Sequence, residues 1–112
     1  MDKRIPETVL PEGYNGKILL VSIGGAGIED RVVLRSGDDW HREILRNTEA
    51  EIRGYGLVAA RVHELGGAWV EFDEDGNIVI YGFSDEFGAC DKTVAAGFLR
   101  RLYPERTVRI VD

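Results

Sequence analysis

Apolar residues occur along the chain in short runs and in helical repeats, separated by turns rich in glycine, proline and aspartate. The first strong run, Ile18 to Ile23, has the length of one strand and contains Ser22 as its single polar residue. Such a run is typical of a strand buried on both faces. The glycine cluster that follows, residues 24–27, predicts a flexible turn, and Arg31 to Arg35 predicts a second strand.

Two segments have the apolar spacing of amphipathic helices. The first follows Asp38 and Asp39, where an aspartate is expected to accept hydrogen bonds from the free N–H groups of the first turn. Its residues at helical spacing, with charges between them, are Trp40, Ile44, Leu45, Thr48, Ile52 and Tyr55. The second helix is predicted over about Asp91 to Leu102, and Pro104 ends it.

The remaining segments predict four more strands, over residues 57–65, 68–73, 77–83 and 108–111. A turn or bulge is expected at Gly66-Gly67, and Asp75-Gly76 predicts a hairpin. The element order is β-β-α-β-β-β-α-β, which predicts an α/β (α+β) fold. We expect a single domain over residues 1–112, with a mixed β-sheet of about six strands and two α-helices.

Composition restricts the classes of function. The net charge of −6 argues against a nucleic-acid partner, and any phosphate site must be locally basic or built from backbone dipoles. The single cysteine, Cys90, permits neither an intramolecular disulfide nor a cysteine-based zinc site, which fits a reducing compartment. No apolar run approaches a membrane span and the N-terminus lacks a signal-peptide core, so we expect a cytoplasmic protein without membrane contact.

The segment Tyr81 to Gly88 runs from a strand through a polar turn toward the second helix. Backbone N–H groups at such a junction lie at the positive end of a helix dipole, which is the usual basis of an anion site. Ser84 in this turn adds a hydroxyl and an N–H group. Cys90 is read as structural, because no Cys-x5-Arg phosphatase loop follows it.

His41 is placed in the first turn of the first helix, where the helix dipole disfavours extra positive charge and lowers the histidine pKa. A neutral imidazole can take a proton from water or attack phosphorus. The alternative is a boundary histidine without a role. Lys17 and Arg35, at strand ends, are candidates to clamp a phosphate or are simply solvated charges. A metal site would need His63 with Glu71 or Asp73.

These residues resemble a known family, the Janus/Ocnus phosphohistidine phosphatases, from about Ile5 to Ile110. The most specific parts are Tyr81-Gly82-Phe83-Ser84-x-x-Phe87-Gly88, close to the family's Tyr-Gly-Tyr-Ser-x-x-Tyr-Gly, and the upstream Leu65-Gly66-Gly67. Trp40-His41 stands where the family has an aromatic residue before its catalytic histidine, and Lys17 where it has a phosphate-contacting lysine.

The resemblance implies hydrolysis of phosphohistidine in proteins without a metal or cofactor. It implies His41 as general base or nucleophile, and Lys17 as the residue that neutralises the phosphate. Phosphate oxygens would be bound by Ser84, Asp85 and Glu86, chiefly through their N–H groups, and Arg35 would match a family arginine if two residues are deleted before His41. The partner would be a phosphohistidine-containing protein or another phosphorylated substrate, and we expect a monomer.

The chain departs from the family in the loop 24–30 and at Asp85 and Glu86, which place negative charge beside the expected anion site. Two carboxylates there repel a phosphate unless they point outward. They favour the alternative function, a non-catalytic module of the same fold that binds an anionic ligand or a protein partner.

Overall fold

The sheet is built outward from a central strand that is apolar on both faces. The computed structural model describes residues 4–111, and in it β1 (Gly16–Gly25) pairs antiparallel with β2 (Ile28–Ser36) and with β3 (Arg61–Phe72). β4 (Ile78–Tyr81) pairs antiparallel with β3, and β5 (Val108–Ile110) pairs parallel with β4. The strand order is β2-β1-β3-β4-β5, so the predicted mixed sheet and α+β class are confirmed.

One helix covers each face of the sheet. α1 (His41–Gly54) and α2 (Lys92–Leu102) pack on opposite sides because successive side chains of β1 alternate between the two faces. The core on the α1 side contains Leu19, Val21, Ile23, Val33, Ile44 and Ile52. The core on the α2 side contains Ile18, Leu20, Leu34, Ala68, Val70, Ile78, Ile80, Ala95 and Leu99. Neither helix in the described residues has the length and apolar character needed to cross a bilayer.

The prediction of about six strands was wrong by one, because the strands expected over 57–65 and 68–73 form the single strand β3. β3 passes through Gly66 and Gly67 with a bulge: Leu19 pairs with Gly67 and Val21 with Glu64, so β3 carries one residue more than β1 over this stretch. Gly66 has a φ of +98°, a conformation that glycine adopts without strain. A bulge was one of the two expectations for this site, and it lets the strand continue.

The helix starts differ from each other in their capping. Asp91 caps α2, where free N–H groups were expected: its side chain accepts from Thr93 N and Val94 N. At α1 the expectation of an aspartate cap was wrong: the N-cap residue is Trp40, without a side-chain cap, and Asp38 Oδ1 accepts from the N–H of Trp40, before the helix. The first-turn N–H groups of α1 are therefore without a side-chain partner.

The N-terminal segment is held against the edge of the sheet. Leu34 N donates to Glu7 O and Val9 N donates to Leu34 O, so the segment runs along β2. Residues 1–3 and Asp112 lie outside the described residues.

Arg35 fastens this segment to α1 from within the protein. Its guanidinium is buried, forms a 2.8 Å ion pair with Glu51, and donates to Pro6 O and Leu34 O. Glu51 also accepts from the hydroxyl of Tyr55. Burial works to raise the pKa of Glu51, but the hydrogen bonds from Arg35 and Tyr55 outweigh it and lower that pKa.

Because the folded-state pKa of Glu51 is lowered, its contribution to stability is present above its ordinary value of 4.5 and is lost as the pH falls through the lowered pKa. We expect Glu51→Gln to reduce the free energy of unfolding at pH 7 by about 1–3 kcal/mol, because Arg35 loses a charged acceptor. The difference from wild type should shrink below pH 4.5. Urea unfolding at pH 7 and pH 3 measures both, with Glu49→Gln on the same helix as control. An unchanged difference at pH 3 would contradict the assignment.

Candidate functional site

A cleft of about 250 Å³ opens on the α1 side of the sheet, where β1 begins and where β3, β4 and α1 meet. Five of the residues predicted for a phosphate site line it: Lys17, His41, Ser84, Asp85 and Glu86. The remaining lining residues are Trp40, Trp69, Tyr81, Gly82 and Phe83. The structure thus brings together residues that are up to 69 positions apart in the sequence (17 to 86).

His41 is the first residue of α1 and is 5% exposed. Its ring lies against the bulge of β3, because a Cβ atom on Gly67 would come within 2.4 Å of Cδ2 and 2.6 Å of Nε2 of His41. Only a residue without a side chain leaves room for the imidazole here. The glycine pair that was read as a turn or bulge is therefore part of the site.

The hydrogen bond of His41 determines which ring nitrogen is protonated. Nε2 lies 3.1 Å from the carbonyl oxygen of Ala68, and a carbonyl can only accept, so Nε2 carries the proton. In the neutral ring Nδ1 is then unprotonated. Nδ1 lies on the side of the ring away from Gly67, since the Cδ2–Nε2 edge faces that residue. The assignment leaves Nδ1 as the basic atom.

The pKa of His41 is lowered below its ordinary value of 6.5. Burial of the ring is the largest cause, and the positive charge of Lys17 adds to it, whereas the hydrogen bond to Ala68 and the negative charge of Asp85 act in the opposite direction. The pKa of His41 is lowered, as predicted. The main cause is burial of the ring, whereas the prediction rested on the helix dipole. At pH 7 the imidazole is mainly neutral.

Lys17 is held between two indole rings at the edge of the cleft. Its Nζ lies 4.7 Å from the ring centre of Trp40 and 5.0 Å from that of Trp69, and it donates to the carbonyl oxygen of Asp39. These contacts hold the ammonium group beside His41. Trp69 was not singled out from the sequence as a site residue. Along β3, Trp69 alternates with residues that face the other side of the sheet, and this position is the sequence feature that could have pointed to it.

The turn that contains Ser84 is closed by its own hydrogen bonds. Ser84 Oγ accepts from Phe87 N and Glu86 N, and Ser84 N donates to Gly88 O. The expected cradle of three N–H groups is therefore reduced: those of Ser84 and Glu86 are used within the turn. The N–H of Asp85 has no hydrogen-bond partner among the described residues. Ser84 itself is 1% exposed, and its hydroxyl oxygen serves the turn.

The two helix starts exchange the roles expected from the sequence. The start of α2 was expected to present free N–H groups, but Asp91 caps it. The start of α1 has no side-chain cap, and its first residue lines the cleft. An anion in the cleft would therefore meet the positive end of α1.

The two carboxylates in the turn have different surroundings. Glu86 forms an ion pair with Arg42 on α1 at 3.6 Å. Asp85 is exposed, lines the cleft and takes part in no ion pair among the described residues. One of the two charges is thus partly compensated, and the other is left facing the site.

Arg35 is not among the residues that line the cleft. Its guanidinium is buried between Glu51 and backbone carbonyls of the N-terminal segment, so its hydrogen-bonding capacity is used inside the protein. The structure does not bring Arg35 to the cleft: its side chain is on the α1 face and pairs with the carboxylate of Glu51 there.

The residues considered for a metal site are not together. His63 and Glu71 are eight positions apart on β3, which corresponds to about 26 Å along a strand. In the part of the chain that the structure describes, no group of three or more histidine, cysteine, aspartate and glutamate side chains is arranged to hold a metal ion. Cys90 is buried, and burial raises the pKa of its thiol to about 11, so the thiol is protonated at pH 7.

Comparison with known proteins identifies relatives over nearly the whole chain. The model of the Janus/Ocnus family matches residues 3–107. The sex-regulated protein janus-A of Drosophila yakuba is 30% identical over 107 residues, covering 93% of this chain and 76% of that protein. The janus-A proteins of Drosophila simulans and Drosophila melanogaster are each 29% identical over the same coverage.

We expect His41 to titrate below pH 6.5 and to be in the Nε2–H form when neutral, because burial disfavours the imidazolium and Ala68 O accepts from Nε2. Two-bond ¹H–¹⁵N correlation spectra recorded from pH 4.5 to 8.5 report both properties. His63, exposed on β3, supplies the second signal, and His63→Gln assigns it. A midpoint above 6.5, or an Nδ1–H tautomer, would contradict the geometry.

We expect Gly67→Ala to displace the His41 ring, because the added Cβ would lie 2.4 Å from His41 Cδ2. The free energy of unfolding should fall by about 1–3 kcal/mol, as for other overpacked sites, and the His41 signals should shift. Gly97→Ala is the matched control: its Cβ would meet Arg101 at an ordinary 3.7 Å, and stability should not fall. Unchanged His41 signals in Gly67→Ala would be the contrary result.

Proposed function

This chain belongs to the Janus/Ocnus family, and we propose that it is a metal-independent protein phosphohistidine phosphatase with His41 as its catalytic residue. The observation that carries the proposal is the convergence of Lys17, His41 and the turn at Ser84 on one cleft. The substrate would be a phosphohistidine-containing protein, and the bond broken would be the P–N bond of its phosphoramidate.

The geometry supplies a base of suitable form. The neutral imidazole of His41 keeps Nε2–H on the carbonyl of Ala68 and leaves Nδ1 unprotonated. As general base, Nδ1 takes a proton from the water whose oxygen bonds to phosphorus while the P–N bond breaks. As nucleophile, Nδ1 bonds to phosphorus while the P–N bond of the substrate breaks, and water then releases the phosphate from Nδ1. In both cases the carbonyl of Ala68 stabilises the positive charge that develops on the ring.

A small number of hydrogen-bond donors, each held in place, would bind the charged phosphoryl oxygens. Lys17 is positioned by Trp40, Trp69 and Asp39 O, so binding costs little further ordering of its side chain. The uncapped start of α1 and the N–H of Asp85 are the remaining backbone donors. A phosphoramidate bond is labile, and this small set of preorganised groups is a plausible catalyst for its hydrolysis.

A second candidate function is a non-catalytic module that binds an anionic ligand or a protein partner. The unpaired carboxylate of Asp85 favours it, since this charge weakens phosphate binding. So does the internal use of the N–H groups of Ser84 and Glu86.

We expect His41→Ala to reduce phosphate release from a phosphohistidine peptide by at least about 100-fold, because the imidazole that would act as base or nucleophile is removed. Lys17→Ala should lower kcat/KM by about 10- to 100-fold through loss of a charged hydrogen-bond donor. His63→Ala, outside the cleft, should retain wild-type activity. Phosphate release is measured at pH 7 with and without EDTA.

Each alternative gives its own result in this assay. Full activity in His41→Ala would refute the mechanism. Loss of wild-type activity with EDTA would require a metal. A wild type that binds phosphate in a titration but releases none from the peptide would establish the binding module.

A further inference from the structure

Asp85 is the residue of the cleft that the proposed reaction does not explain. Its carboxylate lines the same cleft as His41, is exposed, and has no ion-pair partner among the described residues. The neighbouring Glu86 is paired with Arg42. A free carboxylate beside a phosphate site is unfavourable unless the ligand also carries a positive charge close to its phosphoryl group.

Two exposed aromatic rings line the same cleft as this carboxylate. Phe83 is 57% exposed and Trp40 is 60% exposed, and both line the cleft. One face of Trp40 is occupied by Lys17, whereas Phe83 has neither a ring partner nor a cation partner in the described part of the chain. An exposed ring next to a carboxylate is suited to a planar, cationic group, which can stack on the ring and donate to the carboxylate.

The leaving group of phosphohistidine has this chemistry. Its imidazole is planar and carries phosphorus on one nitrogen, and the other nitrogen can be protonated to give an imidazolium. When the P–N bond of the imidazolium breaks, the bonding electron pair goes to nitrogen and a neutral imidazole leaves. The phosphoryl group is transferred to water or to Nδ1 of His41. Protonation thus makes the ring a better leaving group.

We propose that Asp85, together with Phe83, is a subsite for the imidazolium leaving group of the substrate, and that Asp85 accepts a hydrogen bond from its protonated nitrogen. This inference rests on the proposed phosphatase function. It assigns Asp85 a catalytic role through contact with the substrate ring, and it makes the enzyme selective for phosphohistidine over aliphatic N-phosphates such as phospholysine, whose leaving amine has no second ring nitrogen.

The test compares Asp85→Asn with Glu86→Gln on a phosphohistidine peptide and on a phospholysine peptide. Both variants remove one negative charge from the same turn, but Glu86 is paired with Arg42. Asp85→Asn should lower kcat/KM for phosphohistidine by about 10- to 100-fold, the range for losing one charge-assisted hydrogen bond. Its kcat/KM for phospholysine should be unchanged or higher, because repulsion is relieved. Glu86→Gln should change kcat/KM by the same factor for both peptides.

The high-pH limb of the activity profile supplies a second readout. Asp85 also raises the pKa of His41, and loss of its charge by that route shifts the low-pH limb instead. The activity of wild type toward phosphohistidine should persist to higher pH than that of Asp85→Asn, because the carboxylate keeps the substrate ring protonated. Phe83→Leu, like Asp85→Asn, should lower the preference for phosphohistidine over phospholysine.

The outcomes separate the two proposals. A wild type that hydrolyses neither peptide refutes the phosphatase function and the subsite with it. A wild type that is active on phosphohistidine, with Asp85→Asn equally active or faster on both peptides, refutes the subsite alone. Equal losses on both peptides would also refute it, because the effect would then not depend on the leaving ring.

Discussion

The arrangement of the cleft depends on the bulge in β3 at Gly66 and Gly67. Gly67 N donates to Gly88 O, and Cys90 N donates to Gly67 O, so the bulge holds the end of the turn that carries Ser84. The same residue gives room to the His41 ring. A Cβ on Gly66 would lie 2.7 Å from the backbone of Ala89. Two residues without side chains therefore place both halves of the site.

The electrostatics of the cleft follow from how each charge is compensated. Burial and the charge of Lys17 favour the neutral form of His41, and Lys17 is held in place by two indole rings and a carbonyl. Glu86 is partly neutralised by Arg42. Asp85 alone retains an uncompensated charge in the cleft among these residues. In a protein of net charge −6, the positive charge at the site is supplied locally, by Lys17 and the start of α1.

Residues that act through their immediate neighbours along the chain were predictable. The apolar run of β1, the strand over residues 68–73 and the start of α2 near Asp91 each follow from a local physical preference, and the structure contains all three. His41 and Lys17, singled out by position and family resemblance, both line the cleft. The features that local patterns do not predict concern partners that are distant in sequence. Arg35 pairs with Glu51, sixteen positions away, and no local pattern distinguishes this use from a phosphate contact.

Hydrophobic periodicity and helix-end signals act within a few residues, so the helices and most of the strands could be predicted from the sequence. The charge balance and the residue types able to act on phosphorus are read from it directly. The tertiary structure decided that β3 continues through its glycines, that α1 and not α2 presents the uncapped end, and that Arg35 is internal. These depend on which backbone groups and charges meet across the sheet, and long-range pairing is not encoded in any single segment. His41 shows the difference. The sequence supplies a histidine at this position, but Nδ1 is left unprotonated because Nε2–H donates to the carbonyl of Ala68 across the fold.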